Sequence, residues 1–275
     1  MQGELFVVGT PIGNLSDMSP RAVETLEKCD FIAAEDTRVT LKLLNHFNIK
    51  KSMISYFEHN RREKGEVIVK RILNGENCAL VTDAGMPAIS DPGEELVAQC
   101  HEAGIKVNSV PGPCAFSTAL AISGMPAGRF TFEGFLSMNK KNRAEHIQEL
   151  VGETRTMVFY EAPHKLKNTL ADLYGAFGDR RISIVRELTK IHEQVIDTTL
   201  SEACRMYETE QPKGEIVLIV AGAGKKTEAK KYSLQDAVDM AMDLVAEENT
   251  KIAAAKEASS ITGIKKREIY AEICK

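Results

Sequence analysis

The sequence predicts an α/β protein made of two lobes and a small helical module at its C-terminal end. Three observations carry that expectation. In the first half, short apolar runs at 5–8, 31–34, 78–82 and 106–110 alternate with helical patterns, as in a mainly parallel sheet with both faces covered. Beyond 128 the runs crowd together, and 182–186 and 194–199 lie too close for a helical crossover, so some pairing there is antiparallel. After Gly224 the apolar spacing is helical to the end. Gly124, Pro126 and Gly128 cluster between the two textures. They set the expected units at 1–121, 122–224 and 225–275.

The elements follow in order. Leu5 opens an apolar run that stops at Gly9, and Ser19-Pro20 is an N-cap followed by proline at the first helical position. Ala22, Val23 and Leu26 continue it at helical spacing. A second run, 31–34, ends on the polar Glu35-Asp36-Thr37-Arg38. Val67, Ile68, Ile72 and Leu73 form a helical stripe before the strand at 78–82, and Leu96, Val97 and Cys100 form another that ends near Gly104. In the second half, strands are expected at 129–135, 156–160, 182–186, 194–199 and 215–220, with helices around 144–151, 165–177 and 200–207.

Composition narrows the function. The chain has 275 residues, 27% charged and 43% hydrophobic, with a formal net charge of −4, which excludes a uniformly basic nucleic-acid coat but not a local patch. Tryptophan is absent. The six cysteines, 29, 78, 100, 114, 204 and 274, show no CxxC spacing, so zinc ribbons and thioredoxin-like motifs are unsupported and a reducing cytoplasm is the expected setting. No run of 18 apolar residues or signal-peptide pattern is present, and no membrane association is expected. His59, His164 and His192 are far apart, and no metal is expected.

Three glycine- and proline-rich loops follow predicted strands. The first is Gly9-Thr10-Pro11-Ile12-Gly13-Asn14, whose order is not that of a dinucleotide fingerprint. The second, 82–93, is long, rich in small residues and carries Asp83 and Asp91; a compact fold seldom keeps such a loop without a use. The third is Pro111-Gly112-Pro113-Cys114-Ala115. Loops at the carboxyl ends of neighbouring strands line one pocket, here with walls of backbone and small side chains suited to a folded organic cofactor. A phosphate-loop lookalike at 221–227 fails, because Ile219 and Lys226 stand where glycine and a hydroxyl residue are needed.

Four polar clusters sit at strand ends or in the loops after them: 35–38, 56–60, 160–165 and 186–193. Any one of them reads equally as a helix cap or a surface ion pair. Together they supply carboxylates oriented by cations, as a general base or substrate clamp needs. Basic runs at 140–143, 225–231 and 265–267 are the places where an anionic partner would dock. In the tail, a helix, a Gly263 turn and a basic second helix follow the helix-turn-helix pattern, which a small bundle also satisfies.

As a set, GTPIGNLSD at 9–17, AAEDTR at 33–38, TDAGMPAISDPG at 82–93, VPGPCA at 110–115, FYEAPHKL at 159–166 and RELTKIHE at 186–193 resemble the tetrapyrrole-methylase superfamily of S-adenosylmethionine enzymes. More narrowly, they resemble its 16S rRNA-methylating branch. The likeness spans about 5–220, with a matching helical tail. Porphyrin-methylating relatives typically carry a Gly-Asp-Pro type second loop, whereas this chain has Thr82-Asp83-Ala84-Gly85. The resemblance implies a two-domain class III methyltransferase fold, usually homodimeric, with S-adenosylmethionine folded between the domains. The reaction it implies is methylation of a cytidine ribose 2′-oxygen in the decoding centre of the small subunit. It places Pro11, Asp83, Gly85, Met86, Ile89, Cys114, Ala115, Tyr160, Leu188, Gly214 and Glu215 at the cofactor. The expected reactive centre holds Glu35, Asp36 and Arg38, with His59, Glu161, His164, Arg186 and Glu187 around it and no base assigned among them. RNA contacts are expected at Lys140, Lys141, Arg143, Lys265, Lys266 and Arg267. The alternatives are a tetrapyrrole methyltransferase and a non-catalytic RNA-binding assembly factor.

Overall fold

The computed structural model describes residues 2–210, 212–224, 232–246 and 249–274, which form two compact units, 1–223 and 224–275. The basic run 225–231 lies outside the described residues.

The first unit contains two five-stranded sheets. The first sheet is built from β1 (Leu5–Val8), β2 (Phe31–Ala34), β3 (Ser52–Ser55), β4 (Cys78–Val81) and β5 (Val107–Val110). Their order is β3-β2-β4-β1-β5, and every pairing is parallel. Four helices run between them: α1 (Pro20–Lys28), α2 (Thr37–His46), α3 (Arg61–Leu73) and α4 (Gly93–Glu102). One core cluster joins the sheet to Ile68, Ile72, Leu96 and Cys100, and another joins the opposite face to Ala22, Leu26 and Leu44. With both faces covered, every residue of β2 and β4 is buried. Burial of Phe31 or Ile32 stabilises by about 1.5–3 kcal/mol each.

The local chemistry sets the helix starts. Ser19 Oγ accepts from Ala22 N–H at 3.1 Å with Pro20 behind it, so the expected cap forms. Asp36 accepts from Arg38 N–H at 2.8 Å and starts α2. Neither α2 nor β3 is expected from the sequence. Strand β3 is four residues, SMIS, on the sheet edge and only partly buried, so it shows neither a continuous apolar run nor a long alternation.

After α5 (Ala115–Ile122) the second sheet follows, with β6 (Phe130–Phe135), α6 (Lys140–Glu149), β7 (Thr156–Glu161), α7 (Leu166–Phe177), β8 (Arg181–Arg186), β9 (Gln194–Thr199), α8 (Leu200–Met206) and β10 (Ile216–Val220). The order is β6-β7-β10-β8-β9, parallel between β6 and β7 and antiparallel elsewhere. One face packs on α7 and α8, through Leu166, Leu170, Leu173, Leu200 and Ala203. The other packs on α5, through Ala119 and Leu120 against Val158, Val185 and Val217. Helix α5 straddles the expected boundary between 121 and 122, and its apolar side covers the second sheet. Strands β7 and β8 end at the same edge of that sheet, where β10 begins.

The second unit holds α9 (Leu234–Ala246), α10 (Lys251–Thr262) and α11 (Lys266–Ile273). Thr250 caps α10, and Gly263, with φ +74°, ends it in the left-handed region that permits the turn into α11. The core of this unit is its own, made of Ala237, Ala241, Ala254, Ala255, Ala258, Ile269 and Ile273.

Candidate active site

The carboxyl ends of the first sheet converge through backbone. Thr10 and Gly85 exchange hydrogen bonds at 2.9 and 3.2 Å, so the first two loops are stitched together. The third loop presses on the first: a Cβ on Gly9 would lie 2.6 Å from Gly112 Cα. The second loop is held in shape by Asp91, whose carboxylate accepts from the N–H groups of Ala88 (3.0 Å), Ile89 (3.3 Å) and Gly93 (2.7 Å). Those bonds hold Ala88 and Ser90 at φ +66° and +64°, conformations disfavoured for residues with a Cβ.

Between these loops and the second sheet lies a cavity of about 440 Å³, within the range of small-molecule sites. Ile12 reaches it from the first loop, Asp83, Gly85, Met86, Ile89 and Ser90 from the second, and Cys114 and Ala115 from the third. Phe135, Tyr160, Glu161, Val185, Leu188, Glu215 and Val217 face it from the other sheet. Tyr160 Oη accepts from Phe116 N–H at 3.2 Å, tying β7 to α5, and burial pushes its phenol up to about 12. A bulge between Phe132 and Gly134 carries Phe135 to the rim, and Ser90 Oγ packs 3.3 Å from where a Gly134 Cβ would stand.

The charges on the lining have one sign. Glu35, Asp83, Asp91, Glu161 and Glu215 line the cavity, and no lysine or arginine does so among the described residues. Glu35 Oε2 accepts from Thr82 Oγ1 at 2.5 Å. Asp83 accepts from Asp36 N–H at 3.0 Å. Asp83 is itself exposed, but partial desolvation at the cavity wall, against the pull of that hydrogen bond and with the Glu35 and Asp36 carboxylates adding to it, raises its pKa. Burial likewise raises that of Asp91. Such a site favours a cation and disfavours a polyanion.

Of the positions expected at the cofactor, Asp83, Gly85, Met86, Ile89, Cys114, Ala115, Tyr160, Leu188 and Glu215 line this cavity together. Pro11 lines a neighbouring recess with Thr10, Thr82 and Asp83. Gly214, at φ +82°, packs on the Glu187 carboxylate outside the lining. Of the expected reactive centre, Glu35 and Glu161 line the cavity. Asp36 and Arg38 do not: they form an ion pair (2.6 Å) at the start of α2, with the arginine side chain 87% exposed. The Arg38 hydrogen bond pulls the Asp36 carboxyl down to about 2. His59 and His164 are exposed. Arg186 bonds Gln194 and the Lys213 carbonyl, and Glu187 bonds Lys190 at 2.9 Å and Glu215 N–H at 3.1 Å. The Lys190 hydrogen bond lowers the Glu187 pKa.

Sequence reasoning missed Phe135 at the rim, and Val185 and Val217 in the lining. Nothing in a strand-end phenylalanine marks it as pocket-lining, and the bulge that aims it is visible only in the pairing. Of the expected RNA contacts, Lys140 and Lys141 are exposed near the start of α6, and Lys265, Lys266 and Arg267 are exposed where α11 begins. Arg143 is turned inward, bonding Asp172 at 2.7 Å and Thr169 at 2.8 Å.

Two five-stranded sheets with a cavity at the strand ends, lined by backbone turns and carboxylates, define an α/β protein with a small-molecule site. The tetrapyrrole (corrin/porphyrin) methylase family matches residues 4–204, and the chain belongs to that family. Among curated relatives, the ribosomal RNA small subunit methyltransferase I of Synechocystis sp. is 46% identical over 269 residues, spanning 98% of this chain and 96% of that protein. The protein of the same name from Halalkalibacterium halodurans is 44% identical, spanning 98% and 94%. The Thermotoga maritima relative, also of that name, is 46% identical over 220 residues, spanning 80% of this chain and 99% of its own. Among solved structures, uroporphyrin-III-C-methyltransferase from Thermus thermophilus has a TM-score of 0.57 at 17% identity, covering 80% of this chain and 94% of that one. Diphthine synthase has a TM-score of 0.61 at 12% identity, covering 80% and 90%.

Proposed function

We propose that this chain transfers a methyl group from S-adenosylmethionine to the ribose 2′-oxygen of a cytidine in the decoding centre of 16S rRNA, on the small ribosomal subunit, in the cytoplasm and as a homodimer. The observation that carries the reading is the cavity itself. Its mouth of backbone turns accepts a folded nucleoside, and its carboxylates suit a donor that carries positive charge at sulfur. The names of the relatives that match nearly the whole chain supply the RNA substrate.

When bound, the donor supplies a methyl already activated by the cationic sulfur. The task of this chain is to position the acceptor in line, a contribution of about 7–11 kcal/mol when geometry is held. A ribose hydroxyl is a poor acid, so a nearby carboxylate adds about 10²–10⁴-fold as base. What supports Glu35 in that role is its position in the cavity lining and the hydrogen bond from Thr82 that fixes its orientation. Lysines outside the cavity hold the RNA phosphates away from the acidic lining.

A tetrapyrrole acceptor is the second reading, through the solved relatives of the same fold. A porphyrinogen rich in carboxylates meets a cavity lined by carboxylates, which weighs against it. The test is to map rRNA ribose methylation with and without this protein, and to incubate labelled donor with small subunits or with porphyrinogen. Loss of one ribose methyl in 16S rRNA is expected. Transfer to porphyrinogen alone overturns the proposal, and a failure to bind donor turns it toward an assembly factor.

A further inference from the structure

Outside the cavity, the first unit has a large open groove of about 850 Å³ between α6 and α7. Met138, Lys140, Arg143, Lys165, Thr169 and Asp172 are among its lining. Within it Arg143 is spent on Asp172 and Thr169, which neutralises the one carboxylate present. Lys140 and Lys165 remain outside any ion pair among the described residues. The Lys165 ammonium rests 3.1 Å from Met138 Sδ, and Met138 is 80% exposed. Cations outside any ion pair beside an exposed thioether, in a chain of net charge −4, suit a strand that alternates phosphate with base.

The groove shares a wall with the methyl-transfer cavity at three places. Phe135 faces the cavity and Leu136 the groove, Pro163 faces the cavity and Lys165 the groove, and Glu161 faces the cavity while Thr169 faces the groove. The last pair is bonded directly: the Thr169 hydroxyl donates to the Glu161 carboxylate, which also accepts from Ala162 N–H at 2.7 Å. Arg143 in turn donates to Thr169.

We infer that the α6–α7 groove is a second RNA subsite, which holds the single-stranded nucleotide adjoining the one presented to the cavity. Its phosphate is held by Lys140 and Lys165, and its base lies against Met138. Arg143 is a strut for the shared wall rather than a phosphate ligand. The inference rests on the RNA-methylation reading and assigns the path by which the strand reaches the cavity.

The test uses the full chain carrying Lys140→Glu with Lys165→Glu, and Lys50→Glu with Lys70→Glu, both exposed and away from the groove, as a charge-matched control. Binding of small subunits and of a short single-stranded RNA is titrated over a range of salt. Expected for the double variant are at least about tenfold weaker RNA binding and a salt slope shallower by about 1–2, with donor affinity unchanged. Arg143→Met is expected to lower thermal stability while keeping the wild-type salt slope. Wild-type affinity and slope in the double variant overturn the subsite, as does tighter binding of a polyglutamate peptide than of RNA. If wild-type protein methylates small subunits while the double variant binds them normally, the subsite fails and the function stands. If wild-type protein transfers no methyl yet the double variant loses RNA, the function fails and the subsite stands.

Discussion

Thr82 Oγ1 donates a 2.5 Å hydrogen bond to Glu35 Oε2, joining the ends of adjacent parallel strands β4 and β2 at the cavity wall. Glu35→Ala removes the carboxylate and is expected to slow methyl transfer to small subunits by about 10²–10⁴-fold. Donor affinity, read by calorimetry, should fall far less than turnover, since the loss of one lining carboxylate only weakens the pull on a cationic donor. Thr82→Val leaves the carboxylate but frees its orientation, so a smaller loss in kcat is expected. Full turnover in both variants would make the pair structural.

Asp83 gives the site a pH dependence with a definite sign. Its side chain is exposed, but partial desolvation at the cavity wall and the Glu35 and Asp36 carboxylates raise its folded-state pKa. As pH falls through that raised value the carboxylate takes a proton, and affinity for a cationic donor should decline. The unfolded chain gives up this proton more readily, so Asp83 costs stability at neutral pH, and the cost is relieved as pH falls below its folded-state pKa. Asp83→Asn should therefore raise Tm at pH 7 by a small amount, because solvent screens an exposed carboxylate, with a gain that shrinks on acidification. It should also weaken donor binding at pH 7 and flatten its pH profile. A lower Tm at pH 7 would contradict this account.

Asp91 does the opposite job for the same loop. Its three backbone hydrogen bonds hold Ala88 and Ser90 at positive φ. Asp91→Ala leaves those N–H groups without their acceptor, which costs about 1–3 kcal/mol, and lets the strained loop relax. Both a reduced Tm and a weaker donor affinity are expected, the second because Ile89 and Ser90 line the cavity. Loss of stability with wild-type donor affinity would separate the loop from the donor.

Much of the fold was legible because the central strands β2 and β4 of the first sheet are buried on both faces and read as unbroken apolar runs, as at Phe31 to Ala34. Strand β3 lacked that signature because it is an edge. The loops of the candidate site were legible through their glycines and prolines, since tight turns and close backbone approach demand them. Side-chain direction was not. Asp36 looked like a reactive carboxylate, but its oxygens are turned to Arg38 and to the first turn of α2. Arg143 looked like a phosphate ligand, but its guanidinium faces Thr169 and Asp172. A charged residue in a cluster tells which chemistry is available, and only the packing tells whether it is already satisfied.

Gly112 is required by a neighbour rather than by its own dihedral angles. A Cβ there would stand 2.8 Å from backbone atoms of Gly9, which have no flexible side chain to yield. Gly112→Ala should push the first and third loops apart, lower stability by about 1–3 kcal/mol and weaken donor binding. Gly175, within α7, meets nothing within 4 Å. Gly175→Ala should stabilise by up to about 1 kcal/mol through helix propensity. Chemical denaturation of the two variants side by side checks the contrast.

The C-terminal unit invites the sharpest separation of folding from substrate grip. Its core is built from its own alanines and isoleucines, and the first unit has complete cores of its own in residues 1–223. The Thermotoga maritima relative is spanned over 99% of its length by 80% of this chain, so related sequences exist at about the length of the first unit. A chain ending at Ala223 should therefore unfold cooperatively and bind donor like the full protein. It loses the exposed Lys265, Lys266 and Arg267. If these three meet phosphates, affinity for small subunits should fall and the slope of log affinity against log salt should become shallower by at least about 2–3, the share of these three among the ten lysines and arginines removed. An unchanged affinity with an unchanged slope would mean that the tail does not grip RNA, and that the cations of the first unit do so alone.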